Sequence, residues 1–156
     1  MVRVIACGNP DAGDDGVAIV VAEALRERLA GSARAEVVDV GPAINAVPLL
    51  EDATAAIVLD AVRTLGGRPP GEIVRLEAGP EGLPVELGGP VSSHGFGVGE
   101  AVAMARALGS TAPIVVIGVE AGAVALGRGL SPAVREVVPR MVDLILSEVA
   151  SLSVPA

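Results

Sequence analysis

Residues 1–16 read MVRVIACGNPDAGDDG, and the reading of this stretch decides the fold. Residues 2–7 are nearly all apolar and contain β-branched Val and Ile, the pattern of a short buried strand. Gly8, Asn9 and Pro10 stop that strand with turn chemistry. Asp11, Asp14 and Asp15 follow within five residues, and Gly16 opens a helical run over 17–30. The order is strand, glycine-rich turn, helix, and the turn is acidic.

A glycine-rich strand-to-helix turn can bind phosphate, because a helix N-terminus presents unpaired N–H groups and a positive dipole. Neither G-x-G-x-x-G nor G-x-x-x-x-G-K-[ST] is present, however, and the aspartates would repel a phosphate and take up the donors themselves. An acidic turn at a strand end suits a cation or a proton-transfer role. The plainer alternative is that Asp11 or Asp14 is an N-cap and its neighbours only favour the helix dipole. That reading fits Asp15 least, since it sits directly against Gly16.

Working outward, the 156 residues suit one domain, 1–156, with a sizeable core. The chain is 51% hydrophobic, but no apolar run reaches the roughly 18 residues that a membrane-spanning helix needs. The apolar content is Ala and Val in short elements, which predicts a soluble α/β protein without membrane insertion. No apolar segment follows a basic N-terminus, so no signal peptide is expected. A lone cysteine excludes an internal disulfide and fits the cytoplasm. Net charge is −8, all eleven basic residues are arginine, and no basic cluster exists, which argues against nucleic-acid binding. Without lysine there is neither Schiff-base chemistry nor a P-loop lysine, and Phe96 as the sole aromatic residue excludes base stacking.

In the helix over 17–30, Val17, Val20, Val21, Ala24, Leu25 and Leu29 keep helical spacing, and Gly31 ends it. A second strand spans 35–40, and a short helix over 43–50 is weakened at its end by Pro48. The third strand, 55–59, runs straight into Asp60. A charged residue closing an apolar strand lies at the strand's carboxyl end, and in an open parallel sheet that edge holds the ligand crevice. The alternative is a solvated loop aspartate or a cap.

Residues 65–72 form a turn before a fourth strand over 73–77, and so short a connection predicts an antiparallel neighbour and a mixed sheet. The Gly- and Pro-rich run 79–90 is long for an ordinary loop and delivers Ser92-Ser93-His94-Gly95. His94 is the only histidine, and it is either a satisfied surface or core residue or a ligand or acid/base group. A helix follows over 97–108, which Ser92 or Ser93 could cap unless they orient the imidazole of His94, then a fifth strand over 114–117 leading to Glu120. Residues 122–129 have a flexible composition. Ser131 and Pro132 start a last helix that runs to about 150, with Pro139 expected to kink or split it and 151–156 expected to fray.

Asp15, Asp60 and His94 thus come from separate segments that can converge on one edge of the sheet. Two carboxylates and an imidazole suit a first-row metal such as nickel or zinc with positions left open for substrate. The same trio could work without metal, a carboxylate taking a proton and the histidine returning it. Cys7 lies inside the first strand and reads as a buried core residue. No serine is set in a nucleophile elbow.

With these residues assembled, the chain resembles the hydrogenase maturation endopeptidases from end to end. The resemblance rests on VIACGNPDAGDDGVA at the start, VLDA at Asp60, SSHG at His94, and IGVE followed by GLSP. It implies a three-layer α/β/α sandwich around a five-stranded, mainly parallel, mixed sheet. It also implies an aspartyl-type, metal-dependent protease. This protease would remove a C-terminal peptide from the large-subunit precursor of a nickel–iron hydrogenase once nickel is inserted. In the family an acidic residue, an aspartate and a histidine contact the nickel, and the matching catalytic and metal-contacting positions are Asp15, Asp60 and His94. The nickel arrives with the precursor, no organic cofactor is implied, and a cytoplasmic monomer is expected. Runs 79–90 and 122–129 follow no clear family pattern and are where substrate specificity would reside. Two other readings stay open: a peptidase of the same fold acting on another target, and a nickel-dependent binding or chaperone module that does not cut.

Overall fold

The computed structural model describes residues 1–63, 67–84 and 96–154. The expectations for Ser92, Ser93 and His94, for 85–90 and for the last two residues lie outside the described residues. The apolar runs become the strands β1 (Val2–Cys7), β2 (Ala35–Gly41), β3 (Ala56–Val62), β4 (Ile73–Glu77) and β5 (Ile114–Glu120) of one sheet, ordered β2-β1-β3-β5-β4. β1 pairs in parallel with β2 and β3, and β3 with β5, while β4 runs antiparallel to β5. The sheet is therefore mixed and mainly parallel.

The helices α1 (Val17–Arg28), α2 (Val47–Glu51), α3 (Val98–Ala107) and α4 (Pro132–Leu152) cover both faces. On one face Val21 and Leu25 of α1 and Met141 and Ile145 of α4 pack on Val4, Ile57 and Ile117. On the other, Leu50 of α2 and Val102 of α3 pack on Ile5, Val58 and Val116. The result is three layers, as the resemblance implies. Leu25, Leu50, Ile117 and Met141 are fully buried, each burial stabilising by about 1.5–3 kcal/mol.

Several local expectations are corrected. β4 does not lie beside β3, because β5 stands between them. All of β5 is buried, so its two apolar faces demand a central place, whereas β4 alternates in exposure and suits an edge. Asp60 and Glu120 do not follow their strands but lie within β3 and β5, because backbone pairing continues to Val62↔Glu120. In α1 the buried stripe is Val17, Ala18, Val21, Ala22 and Leu25, and Val20 is exposed. The small side chains of Ala18 and Ala22 turn toward the sheet. Pro48 does not weaken the end of its helix: residues 43–46 form a 3₁₀ turn, and Pro48 sits in the first turn of α2, where its missing N–H costs no bond. α4 runs through Pro139 as one helix, held by Val134, Met141, Val142, Ile145 and Val149 in the core.

Candidate active site

The acidic turn is built by close backbone approach. Gly8 has φ +124°, and a Cβ there would lie 2.0 Å from the carbonyl oxygen of Asp15. The Asn9 N–H donates to Asp15 Oδ2 at 2.9 Å, and Asn9 Oδ1 accepts from the Asp11 N–H at 2.9 Å, an Asx-type turn. Gly13–Gly16 then form a buried 3₁₀ turn that leads into α1.

Neither Asp11 nor Asp14 caps the helix that follows, since the 3₁₀ turn and α1 have no side-chain cap. Asp14 points to another part of the chain. Its Oδ2 accepts from the Gly122 N–H at 2.8 Å, the Ala123 N–H at 2.9 Å and the Ser131 Oγ–H at 2.8 Å, and its Oδ1 from the Ser131 N–H at 2.7 Å. Burial alone would raise its pKa, but these bonds together hold the carboxyl below the ordinary carboxylate value. Ser131 does precede α4 as expected, yet its hydroxyl serves Asp14 instead of capping α4. Residues 122–129, flexible by composition, are thereby tied to the acidic turn.

Asp15 is buried and lines a cleft of about 1450 Å³, together with Cys7 and Asp60. Asp60 stands in register with Gly118, which contributes no side chain beside it. Asp60 Oδ1 is buried with no hydrogen-bond partner among the described residues. Burial, reinforced by the charge of Asp15, pushes the Asp60 carboxyl up to about 8. Burial first, and the charges of Asp60 and Asp15 second, push the Cys7 thiol well above its usual value, so it is held as an unreactive thiol. The three groups share one electrostatic environment.

Glu81 and Glu100 add carboxylates to the lining, and Arg63 is the one basic residue among the described lining. Phe96, Ile44, Val124 and Leu126 supply apolar surface. Glu100 also accepts from the Gly97 N–H at 2.9 Å and so closes the N-terminus of α3, which Ser92 or Ser93 could have capped on the sequence reading. An acidic floor with a buried oxygen lacking a donor can hold a cation or exchange a proton. Among the described residues no three His, Cys, Asp or Glu side chains are grouped closely enough to hold a metal.

Asp15 and Asp60 are thus brought into one cleft as the sequence predicts, while His94 lies outside the described residues. Sequence reasoning missed Asn9 as the donor to Asp15, Arg63 in the cleft, and the reach of Asp14 across more than a hundred residues. Only Asn9 carried a signal, since Asn-Pro-Asp is turn chemistry.

An α/β sandwich with an acidic cleft at the carboxyl ends of its parallel strands is the class that fold and site define. The family described as hydrogenase maturation protease matches residues 19–148, and the chain belongs to that family and is a peptidase. The matched span includes Asp60 and His94 and begins after Asp15. Among solved structures, the chain is similar to the hydrogenase maturating endopeptidase HybD from E. coli, with 20% identity, TM-score 0.81, and coverage of 96% of this chain and 92% of that one. The [NiFe] hydrogenase maturation protease HycI from Thermococcus kodakarensis KOD1 is similar at 25% identity and TM-score 0.70, covering 95% of this chain and 90% of that one. HybD from Thermococcus kodakarensis gives 23% identity and TM-score 0.71, with 95% and 98% covered. No curated protein sequence matches. Among the described residues no helix is long and apolar enough to cross a membrane.

Proposed function

We propose that this peptidase removes a C-terminal peptide from the nickel-loaded large-subunit precursor of a nickel–iron hydrogenase, and that Asp15, Asp60 and His94 contact the nickel carried by that substrate. The observation that carries the reading is Asp60 Oδ1, buried without a partner among the described residues, in the same cleft as Asp15. A buried carboxyl oxygen without a donor is costly, and a divalent cation arriving with the substrate offsets that cost. Binding the cation then selects the loaded precursor, because a precursor without metal offers Asp60 Oδ1 no partner and nothing to offset the desolvation of the cleft.

The chemistry follows from the same groups. A carboxylate of the pair takes a proton from the attacking water, whose oxygen forms the new bond to the scissile carbonyl carbon. The C–N bond breaks as the departing amine takes a proton. Nickel is part of the substrate, no organic cofactor enters, and the protease works as a cytoplasmic monomer on the precursor.

The test is the C-terminal mass of the precursor after incubation with the protease, with and without nickel. Wild type shortens the loaded precursor only. Asp15→Asn and Asp60→Asn abolish the mass loss, and Asp11→Asn, at a residue outside the described cleft lining, largely retains it. Cleavage of nickel-free precursor at the same rate overturns the metal-docking mechanism.

A further inference from the structure

We infer that Asp14 is a positioning residue that fixes the segment 122–131 at the rim of the cleft, so that Leu126 receives an apolar side chain of the precursor while Asp15 receives its metal. The inference rests on the proposed function for its substrate and on geometry for its device.

The attachment is dense. Besides the four donors to the Asp14 carboxylate, the Asp14 N–H donates to the Ala123 carbonyl at 2.7 Å and the Gly13 N–H to the Arg128 carbonyl at 2.9 Å. The Gly127 N–H donates to the Asp11 carbonyl at 2.8 Å. Gly13, at φ +57°, admits the approach: a Cβ there would lie 2.6 Å from the Ala123 carbonyl oxygen. Val124 is anchored against the core, yet Leu126 is 78% exposed while lining the cleft that holds Asp15 and Asp60. Held by a bonded frame, Leu126 joins Val124, Ile44 and Phe96 in the apolar part of the lining of an acidic cleft, the combination by which a site takes an apolar group beside a charged one. Consecutive carboxylates divide the work: Asp14 faces the frame and Asp15 the cleft.

The experiment has two arms. Hydrogen exchange at the Gly122, Ala123 and Ser131 amides is compared in wild type, Asp14→Asn and Ser131→Ala. The frame predicts exchange faster by about tenfold or more in both variants, and unchanged exchange overturns it. Cleavage kinetics on nickel-loaded precursor are compared in wild type, Leu126→Ser and Leu126→Met. Leu126→Ser should raise KM about tenfold with kcat nearly unchanged, and Leu126→Met should restore KM. An unchanged KM in Leu126→Ser, or a fall in kcat alone, overturns the recognition role. Ser131→Ala and Leu126→Ser change exposed or hydroxyl groups only, so the test stands if Asp14→Asn does not fold. A wild type that cuts no precursor is the failure of the proposed function and takes the recognition role with it, while the exchange arm still decides the frame.

Discussion

A Cβ on Gly8 would lie 2.0 Å from the carbonyl oxygen of Asp15, so the end of β1 and the carboxylate that enters the cleft fit together only with glycine at this place. The φ of +124° adds a second requirement for glycine, because an L side chain is strained there. Gly8→Ala therefore has to push the acidic turn away from β1 and break the bond from Asn9 to Asp15. The expected cost is about 2 kcal/mol or more, with cleavage lost. Thermal melting and the precursor mass assay check it together; a variant that melts normally and cuts normally would show that the turn is not set by this contact.

Asp60 makes the stability of the fold depend on pH in a direction opposite to most carboxylates. Its carboxyl is held at about 8 in the folded chain against an ordinary 3.8. The folded state keeps a proton that the unfolded state has lost, so the stability this group contributes is full below about 3.8 and is lost as pH rises through about 8. The slope between those limits is at most roughly 1.4 kcal/mol per pH unit. Asp60→Asn does not titrate. It should be more stable than wild type at pH 8, with the difference shrinking toward pH 4, while processing of precursor is lost. Urea midpoints across that range measure this, and a difference that does not change with pH contradicts the protonation assigned to Asp60.

What was legible in the sequence was what depends on nearest neighbours and periodicity. β1 and β4 have the predicted bounds, and Asp15 and Asp60 reach the same cleft because one lies in the turn after β1 and the other near the carboxyl end of β3. What was not legible depends on contacts distant in sequence. Asp14 reads as a helix cap from its neighbours, and only the folded chain brings Gly122, Ala123 and Ser131 to it. Val20 and Ala18 exchange places in α1 because the direction of the buried stripe is set by the sheet, not by which side chain is larger. The placement of β5 between β3 and β4 follows from burial on both faces, which short runs do not reveal.

The two glycine-rich runs should now behave differently. Composition alone predicts that replacing either 79–90 or 122–129 impairs processing and spares stability. Residues 122–129 receive and donate bonds to Asp11, Gly13 and Asp14, so replacing them with a Gly-Ser loop of equal length should lower Tm by several degrees as well as impair processing. In 79–84 the Gly79 carbonyl accepts from Arg106 Nε at 3.0 Å, Gly79 and Gly82 bond each other, and Leu83 packs against the core. Replacing 85–90 alone should, from its Gly- and Pro-rich composition, leave Tm nearly unchanged and still impair processing. Differential scanning of the two chimeras beside the mass assay separates these outcomes, and equal melting of both contradicts the anchorage.

Metal titration should read the incompleteness of the site. Two carboxylates in a partly desolvated cleft attract a divalent cation, but a closed shell needs more ligands than the described residues group together. Without precursor, Ni²⁺ should therefore bind weakly, with water filling the remaining positions. Asp15→Asn and Asp60→Asn each remove a charge and an oxygen ligand, and each should weaken binding by about tenfold or more. Binding through Asp60 displaces the proton it holds at neutral pH, so affinity should rise from pH 6 to pH 8 in wild type and lose much of that rise in Asp60→Asn. His94→Ala belongs in the same series: weaker binding joins His94 to the two aspartates, and unchanged binding removes it from the site. Calorimetry with Ni²⁺ at both pH values gives all four comparisons, and binding insensitive to Asp15→Asn and Asp60→Asn alike contradicts the assignment of the cleft floor as the cation-docking surface.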